Sequence, residues 1–387
     1  MILFIFYLLA ILSLLIGTAA IYMALIETFP VKWLYYHYFI RKPINWTILI
    51  VILLWTFYIY QQENHFPLWS LVPIILTSIA VILTYKMHQE TAFKAVDFPI
   101  FTKDISILPI KDEMQLAIIE YDGITKCYPL DYVIHHHIIN DKFNSRIVAL
   151  TYCAMCRSII PFDVTEIGPL FVGSFKDANM IVADKKTKTF FQQATFQSII
   201  GKLHPYNLTM IPFQILSWSD VKKSILKPQV VNVTKKDFRE FQLPIPGIWK
   251  KIVATENTPG LSSKNRDKTF PSRTHVIGLI DESIKKKIVY LKKEVISNEV
   301  VLNKEHNVFL IGIADTVNGF KNSVNNFVLN VTLDNAEILD LNSQTRWNMR
   351  GKYIKGKLNT NLEPIAISDE YWFSWKKFHK DSKLIRL

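Results

Sequence analysis

The chain has 387 residues, half of them apolar, and its 45 Lys and Arg against 33 Asp and Glu give a formal net charge of +12. This apolar content excludes an intrinsically disordered chain, and three cysteines are too few for a disulfide-stabilised scaffold. The basic residues are scattered without a nucleic-acid-binding motif, so we expect no nucleic-acid partner. The sequence also lacks the usual nucleotide-binding, metalloprotease and esterase motifs.

Three apolar segments in the first ninety residues predict membrane-spanning helices. No charged residue occurs from Met1 to Ile26, from Pro43 to Gln62 or from Asn64 to Tyr85. Roughly twenty apolar helical residues cross the hydrocarbon core of a bilayer, so each segment is long enough. A cleaved signal peptide is the alternative for the first segment, but a basic start and a small-residue cleavage site are missing. We predict that residues 1–90 form three transmembrane helices of a multi-pass protein of the cell membrane, with the lipid bilayer as a partner.

Basic residues flank these segments unevenly. Lys32, Arg41 and Lys42 follow the first segment and Lys86 follows the third, whereas the connection at 61–67 carries neither Lys nor Arg. Because Lys and Arg near membrane spans tend to stay in the cytoplasm, this pattern predicts an outside amino terminus and a cytoplasmic soluble domain.

Beyond residue 95 the chain has the pattern of a globular α+β region. Charges become frequent, and apolar runs are short and bounded by Asn, Asp, Gly and Pro. Strands are predicted at Leu116–Glu120, Arg146–Tyr152, Ser158–Phe162, Met180–Ala183 and Asn207–Ile211, and helices at Tyr132–Ile139 and Trp218–Leu226. Because no long helical crossovers separate the strands, we expect a predominantly antiparallel β domain with short helices.

A weak internal repeat is visible in this region. Residues 182–191 align with 338–347, Gly201-Lys202-Leu203 aligns with Gly356-Lys357-Leu358, and Trp218 aligns with Trp372. The same order at a nearly constant offset predicts two degenerate copies of one unit.

The copies are assigned to 96–232 and 273–387. Residues 233–272, rich in Pro, Asn, Lys and Ser, are predicted to be a linker, or alternatively a lid over one copy.

The chemistry of the chain is concentrated at Cys153-Ala154-Met155-Cys156, which follows the run His135-His136-His137. Two cysteines at this spacing can bind a soft metal ion or cycle between dithiol and disulfide. The repeat offset places Asp315 and Asn318 opposite the two cysteines. One active copy and one scaffold copy are therefore expected.

These residues resemble a family of prokaryotic domains of unknown function numbered 3179. The similarity is carried by Tyr128-Pro129-Leu130, His136, Asn140-Asp141, Thr151 to Ser158 and Phe162-Asp163. The family typically has Trp-His-Glu where this chain has three histidines, and Gly where it has Arg157. Among the histidines the resemblance favours His136, and it implies an exported or lipid-anchored protein, in conflict with the charge pattern. It implies no reaction.

Three roles are open for the cysteine pair. Cys153 and Cys156 with His136 would leave one open position on zinc, or would bind copper as Cu(I). The pair is alternatively a redox dithiol. It follows a strand, so it lacks the helix amino terminus that usually favours the thiolate, and the positive charge of Arg157 would have to lower the thiol pKa instead. A structural role, as buried thiols or a small disulfide, is the third.

Asp141, Asp163 and Gln193 are candidate supporting residues that could orient His136 or face the site. Two functions remain. One is a membrane-anchored metal or thiol-redox protein that uses Cys153, Cys156 and His136. The other is a noncatalytic membrane-anchored module with structural cysteines that binds a small molecule or a protein.

Overall fold

Three long apolar helices precede a region of short strands and short helices. The structure is a computed structural model that describes residues 2–234, 251, 254–262, 264, 266–281 and 286–387. The long helices are α1 (Ile2–Leu25), α2 (Val31–Glu63) and α3 (Leu71–Lys86), with a 3-10 turn at Leu68–Ser70 before α3. Helices α1 and α2 are each long and apolar enough to cross a membrane, and so is α3 together with the turn before it, which confirms the prediction of three such segments.

The second helix is longer than predicted. It begins at Val31 rather than at Pro43, which lies inside it, and it therefore includes Lys32 and Arg41. Pro43 removes one backbone hydrogen bond, but the Tyr-rich turns before it gain compensating packing against the β region.

Small and polar residues hold the three helices together. Ser13 Oγ donates to Asn45 Oδ1 over 2.9 Å, and Asn45 Nδ2 donates to Thr84 Oγ1 over 2.5 Å, which joins α1, α2 and α3. A Cβ atom at Gly17 would lie 2.7 Å from the Ala80 carbonyl oxygen, so α1 and α3 approach closely only because this residue is glycine.

The first half of the β region contains three sheets and three short helices. Its strands are β1 (Val96–Asp97), β2 (Phe101–Thr102), β3 (Gln115–Tyr121), β4 (Ile124–Pro129), β5 (Ile138–Phe143), β6 (Arg146–Cys153), β7 (Ser158–Asp163), β8 (Leu170–Lys176), β9 (Asn179–Asp184), β10 (Phe190–Gln192), β11 (Ser198–Ile200), β12 (Thr209–Met210), β13 (Gln214–Ser217) and β14 (Gln229–Val231). The helices are α4 (Gln89–Ala92), α5 (Leu130–His136) and α6 (Trp218–Ser224), with a 3-10 turn at Ile105–Ile107. The strand orders are β13-β3-β4-β14-β2, β1-β5-β6-β7-β12 and β11-β10-β9-β8.

The second half contains four sheets and two short helices among its described residues. Its strands are β15 (His275–Asp281), β16 (Lys286–Leu291), β17 (Val300–Asn303), β18 (Val308–Ile313), β19 (Thr316–Lys321), β20 (Ser323–Val324), β21 (Phe327–Val328), β22 (Val331–Asp334), β23 (Glu337–Asp340), β24 (Thr345–Trp347), β25 (Tyr353–Lys355), β26 (Ser368–Tyr371) and β27 (Lys383–Ile385). The helices are α7 (Lys292–Asn298) and α8 (Trp372–Phe378). The strand orders are β26-β15-β16-β27, β17-β18-β19, β20-β21 and β22-β23-β24-β25.

Most strand pairs are antiparallel, as predicted. The pairs β1 with β5, β4 with β14 and β16 with β27 are parallel. Two examples show how the bounds of the predicted elements differ from those observed. The strand expected at Asn207–Ile211 is reduced to β12, and the helix expected at Tyr132–Ile139 ends at His136 because His137 has a φ of 62° and the chain enters β5.

The two halves of the β region pack against each other. Phe373 of α8 belongs to the same buried cluster as Cys153 and Cys156, and the Tyr371 N–H donates to the Cys156 carbonyl over 3.0 Å. The second half therefore covers the cysteine turn. Half of the predicted linker, including 235–250, lies outside the described residues.

The β region is also attached to the three long helices. Phe171 and Phe190 pack against Tyr35 and Tyr38 of α2. Lys176 Nζ donates to the Met23 carbonyl over 3.0 Å and to the Ile26 carbonyl over 2.6 Å at the end of α1.

Candidate functional site

The two cysteines lie at the turn of a β-hairpin. Cys153 is the last residue of β6 and pairs with Ser158, the first residue of β7, and Cys156 lies in the four-residue turn between them. The β-branched run before the turn makes the strand, and the turn ends with Arg157 at a φ of 59°. Positive φ is easiest for glycine, which accounts for Gly at this position in the pattern that the chain resembles.

A buried polar network surrounds the Cys156 sulfur. Ser158 Oγ lies 3.2 Å from Sγ, and Asn179 Nδ2 donates to Sγ over 3.0 Å. Gln193 holds this network in place, because its Oε1 accepts from Ser158 Oγ over 2.9 Å and its Nε2 donates to Thr151 Oγ1 over 2.9 Å. Gln193, predicted as a supporting residue, thus lies one hydrogen bond away from a group that contacts the thiol.

The two thiols have opposite pKa shifts. Burial raises the pKa of Cys156 well above its usual range, and its hydrogen bond to Cys153 raises it further. Burial also acts to raise the pKa of Cys153, but hydrogen bonds from the Cys156 thiol and from the backbone N–H groups of Cys156, Met180 and Met155 outweigh it, so the pKa falls below its usual value. Cys153 is therefore the more acidic sulfur, although both are buried.

A glutamate from the second half lies near this pair. Glu370 of β26 is 1% exposed, and Ser368 Oγ donates to its Oε1 over 2.7 Å. Burial raises the pKa of Glu370 to about 7, and its negative charge in turn raises the pKa of Cys156. Sequence reasoning missed Glu370, because only the packing of the two halves brings β26 to the cysteine turn.

A cavity of about 170 Å³ lies beside Cys153. Its wall is almost entirely apolar and includes Phe93, Val172, Phe175, Met155 and Met180. Cys153 lines this cavity and Cys156 does not. A molecule in the cavity would therefore meet the more acidic of the two sulfurs.

The histidine that lines the cavity is His137. Its ring stacks on Phe93 with centroids 4.2 Å apart, and burial lowers its pKa to about 4. The ring of His136, the predicted ligand, instead contacts Tyr132, with Nδ1 lying 3.3 Å from the Lys94 carbonyl oxygen. The positive φ of His137 separates the directions of the two rings, and this backbone feature has no signal in the histidine run itself.

The described residues contain no group of three or more His, Cys, Asp or Glu side chains that could hold a metal ion. Cys153, Cys156 and His136 thus do not converge, and the predicted three-ligand centre does not form with these side-chain positions. His137 does not complete such a group with the thiols either.

The remaining predicted residues lie elsewhere. Asp141 binds Lys126 Nζ through both carboxylate oxygens at 2.9 Å. Asp163 is the last residue of β7, whereas Ser158 is the first, and it accepts a hydrogen bond from the Tyr121 hydroxyl over 2.6 Å. The Arg157 guanidinium contacts His275 and lies 3.3 Å from an Asp315 oxygen, rather than contacting the thiols.

The sequence model of one protein family matches residues 92–382; its description is a protein of unknown function, DUF3179. The chain therefore belongs to this family, and the match spans both halves of the β region. Neither a curated protein nor a solved structure matches the chain.

Proposed function

We propose that this DUF3179 protein is a membrane-anchored thiol–disulfide protein, with Cys153 as the attacking thiol and Cys156 as the second thiol of the pair. The observation that carries the proposal is the hydrogen-bonded cysteine pair at the hairpin turn, in which the more acidic sulfur faces a cavity. Thiolate is the nucleophile in thiol–disulfide exchange, and Cys153 is assigned the first attack because it lines the cavity whereas Cys156 does not.

The reaction is an exchange in two steps. The Cys153 thiolate attacks one sulfur of a disulfide and displaces the other as a thiolate, which forms a mixed disulfide. The Cys156 thiol transfers its proton to the thiolate released in the first step and attacks Cys153, which forms the Cys153–Cys156 bond and releases the second sulfur of the substrate as a thiolate. The substrate disulfide gains two electrons and the protein dithiol loses two. Asn179 and Ser158 hold the Cys156 sulfur in position for this second attack.

The three long helices are proposed to be transmembrane. The ends of α1 and α3 near residues 25 and 86 lie with the start of α2 beside the β region, so the 61–67 connection lies at the opposite end of the helices. The charge pattern favours a cytoplasmic β region, whereas the family resemblance favours an exported one. A reporter that is active on only one side, fused after Leu387, distinguishes the two.

The β region is proposed to consist of two copies of one unit. The strand order β13-β3-β4-β14 resembles β26-β15-β16-β27, and β11-β10-β9-β8 resembles β25-β24-β23-β22. The Leu203 N–H donates to Thr189 Oγ1 over 3.1 Å, as the Leu358 N–H donates to Thr345 Oγ1 over 3.0 Å. In this arrangement the first copy carries the thiols and the second supplies Glu370.

Binding of zinc or copper by the thiols is a second candidate function. Met155 lines the cavity beside Cys153, and a thioether together with thiolates suits Cu(I). A noncatalytic binding module with structural cysteines is the third.

The full-length protein in detergent tests the proposal. It is equilibrated in glutathione buffers of stepped potential, and its thiols are counted by alkylation and mass spectrometry. We expect a reversible two-electron transition in the wild type that is lost in Cys153→Ser and in Cys156→Ser. Cys127→Ala is the matched control, because Cys127 is fully buried in another cluster, where burial raises its pKa to about 12.

Metal analysis of the same samples separates the alternatives. Stoichiometric zinc or copper that both serine variants lose would favour metal binding. Thiols that stay reduced at every potential, in a protein without bound metal, would refute the thiol–disulfide proposal. The noncatalytic binding module would then be the remaining alternative.

A further inference from the structure

A basic cavity of about 470 Å³ lies where the long helices meet the β region. Helix α2 contributes Arg41 and Lys42 to its wall, α3 contributes Tyr85, and the β region contributes Phe171 and Lys185. A volume of this size is typical of small-molecule sites. The basic cavity shares no lining residue with the cavity beside the thiols, so it is a separate site.

The charged groups of the basic cavity do not balance. Its described lining residues include four cations and two carboxylates. Arg41 Nη2 lies 3.5 Å from Glu90 Oε2, and Lys185 Nζ forms an ion pair with Asp97. Each carboxylate is thus already paired with one cation, and two cations remain.

The two remaining cations are Lys42 and Lys94. Neither forms an ion pair within the described part of the chain, and Lys42 Nζ lies 4.9 Å from the centroid of the Tyr85 ring. An aromatic face compensates only part of an ammonium charge. The two ammonium groups therefore favour an anionic ligand, and phosphate is an anion that lysines commonly bind.

The basic cavity lies where the surface of the helices changes from charged to apolar. Trp46 Nε1 donates to the Tyr85 hydroxyl oxygen over 3.2 Å, one turn of α2 beyond the cavity. Residues 43–62 of α2 carry no charge, and Leu54 is 64% exposed on this apolar surface. Trp and Tyr concentrate at the boundary between lipid and water, so in the proposed transmembrane arrangement the basic cavity lies at the depth of the lipid headgroups.

We propose that the basic cavity binds the phosphate group of an anionic phospholipid. The phosphate oxygens pair with Lys42 Nζ and Lys94 Nζ, and the acyl chains lie along the exposed apolar surfaces of α2 and α3. Inorganic phosphate offers the same chemistry to the lysines, but it would leave the adjoining apolar surface unused. A zwitterionic lipid brings its own cation and would compensate the lysines less. The inference goes beyond the thiol chemistry and rests on the proposed transmembrane arrangement.

Lipid binding to the full-length protein in a nonionic detergent tests the proposal. The probes are dioleoyl phosphatidylglycerol, dioleoyl phosphatidylcholine and inorganic phosphate, and native mass spectrometry counts the bound lipids and gives their dissociation constants. We expect one phosphatidylglycerol per chain, bound about tenfold or more tightly than phosphatidylcholine. Inorganic phosphate at the same concentration should not displace it.

Lys42→Gln and Lys94→Gln are the variants that test the site. Each removes one positive charge and no ion pair to a described residue, so the Tm should stay unchanged. The dissociation constant of phosphatidylglycerol should rise about fivefold in each. Lys94→Arg keeps the charge and should bind like the wild type. Lys86→Gln is the matched control, because Lys86 is exposed at the end of α3 next to Tyr85 but does not line the basic cavity.

The outcomes are distinct. Equal binding of the two lipids, or binding that both glutamine variants leave unchanged, overturns the proposal. Displacement by inorganic phosphate at equal concentration assigns the cavity to a soluble anion and overturns the lipid as its source.

The transmembrane arrangement is tested separately, by washing liposomes that carry the protein with sodium carbonate. Release from the liposomes overturns both that arrangement and the lipid site. Retention without a preference for the anionic lipid overturns the lipid site alone. Neither result bears on the thiol–disulfide proposal, which the glutathione titration decides.

Discussion

Replacing Glu370 with Gln should make the stability of the protein less dependent on pH. Glu370 is fully buried, and its pKa rises from an ordinary value of 4.5 to about 7. Because the folded state holds the proton more tightly than the unfolded state, this group favours folding most below pH 4.5. This contribution to the free energy of unfolding is lost as the pH rises towards 7. The two pKa values differ by about 2.5, which corresponds to a contribution of about 3 kcal/mol.

Glu370→Gln keeps the shape and removes the titration. Thermal unfolding of the full-length protein in detergent is followed at about pH 5 and pH 8. Between these two pH values the free energy of unfolding should fall by about 2–3 kcal/mol more in the wild type than in the variant. For a domain of this size that difference corresponds to roughly 5 °C in Tm. Glu363→Gln is the control, because Glu363 is an exposed glutamate of the same half that pairs with Lys321.

The result that refutes this reasoning is a parallel pH dependence of the wild type and Glu370→Gln. Equal slopes would mean that the carboxyl is solvated in the folded protein. Glu370 would then have no electrostatic effect on Cys156, and the part assigned to β26 in the thiol site would have to be withdrawn.

Three further substitutions test the packing that positions the site. Gly278→Ala should destabilise the second half by about 1–3 kcal/mol in thermal unfolding, since its Cβ would lie 1.9 Å from a ring atom of Trp375; an unchanged Tm would contradict this contact. Lys126→Met should cost about 3–5 kcal/mol, because it leaves the buried Asp141 carboxylate without its cation, and an additional Asp141→Asn change should restore part of the loss. Asn45→Leu should weaken the helix bundle by about 1 kcal/mol, measured by unfolding in detergent, whereas Leu53→Ala at an exposed position of the same helix should have no effect.

The local parts of the fold were predictable because their signals are local. Uncharged apolar segments identify the three long helices, and β-branched runs identify β6, β7 and β9. The uncharged segment did not reveal the full length of α2, because its turns before Pro43 contain Lys32 and Arg41 and pack against the β region, which is distant in sequence.

The candidate site was predictable only as far as the cysteine pair and Gln193. The choice between His136 and His137 depends on one backbone angle, and the placement of Glu370 depends on how two halves of the chain pack. Asn is a common turn residue, so Asn179 did not stand out in the sequence, yet its side chain donates to the Cys156 sulfur. None of these placements follows from periodicity or spacing, because each is decided by contacts between residues far apart in sequence.

The contact of Lys176 with the end of α1 limits how a partner can reach the β region. By occupying the last carbonyls of α1, Lys176 holds the β region against the end of this helix instead of on a flexible stalk. The Glu27 side chain adds a second attachment through Lys377 at 3.1 Å. The position of the thiol-bearing half relative to the three long helices is thereby set. In the proposed transmembrane arrangement a bulky partner must therefore approach close to the lipid headgroups, whereas a molecule dissolved in the membrane has only a short way to travel.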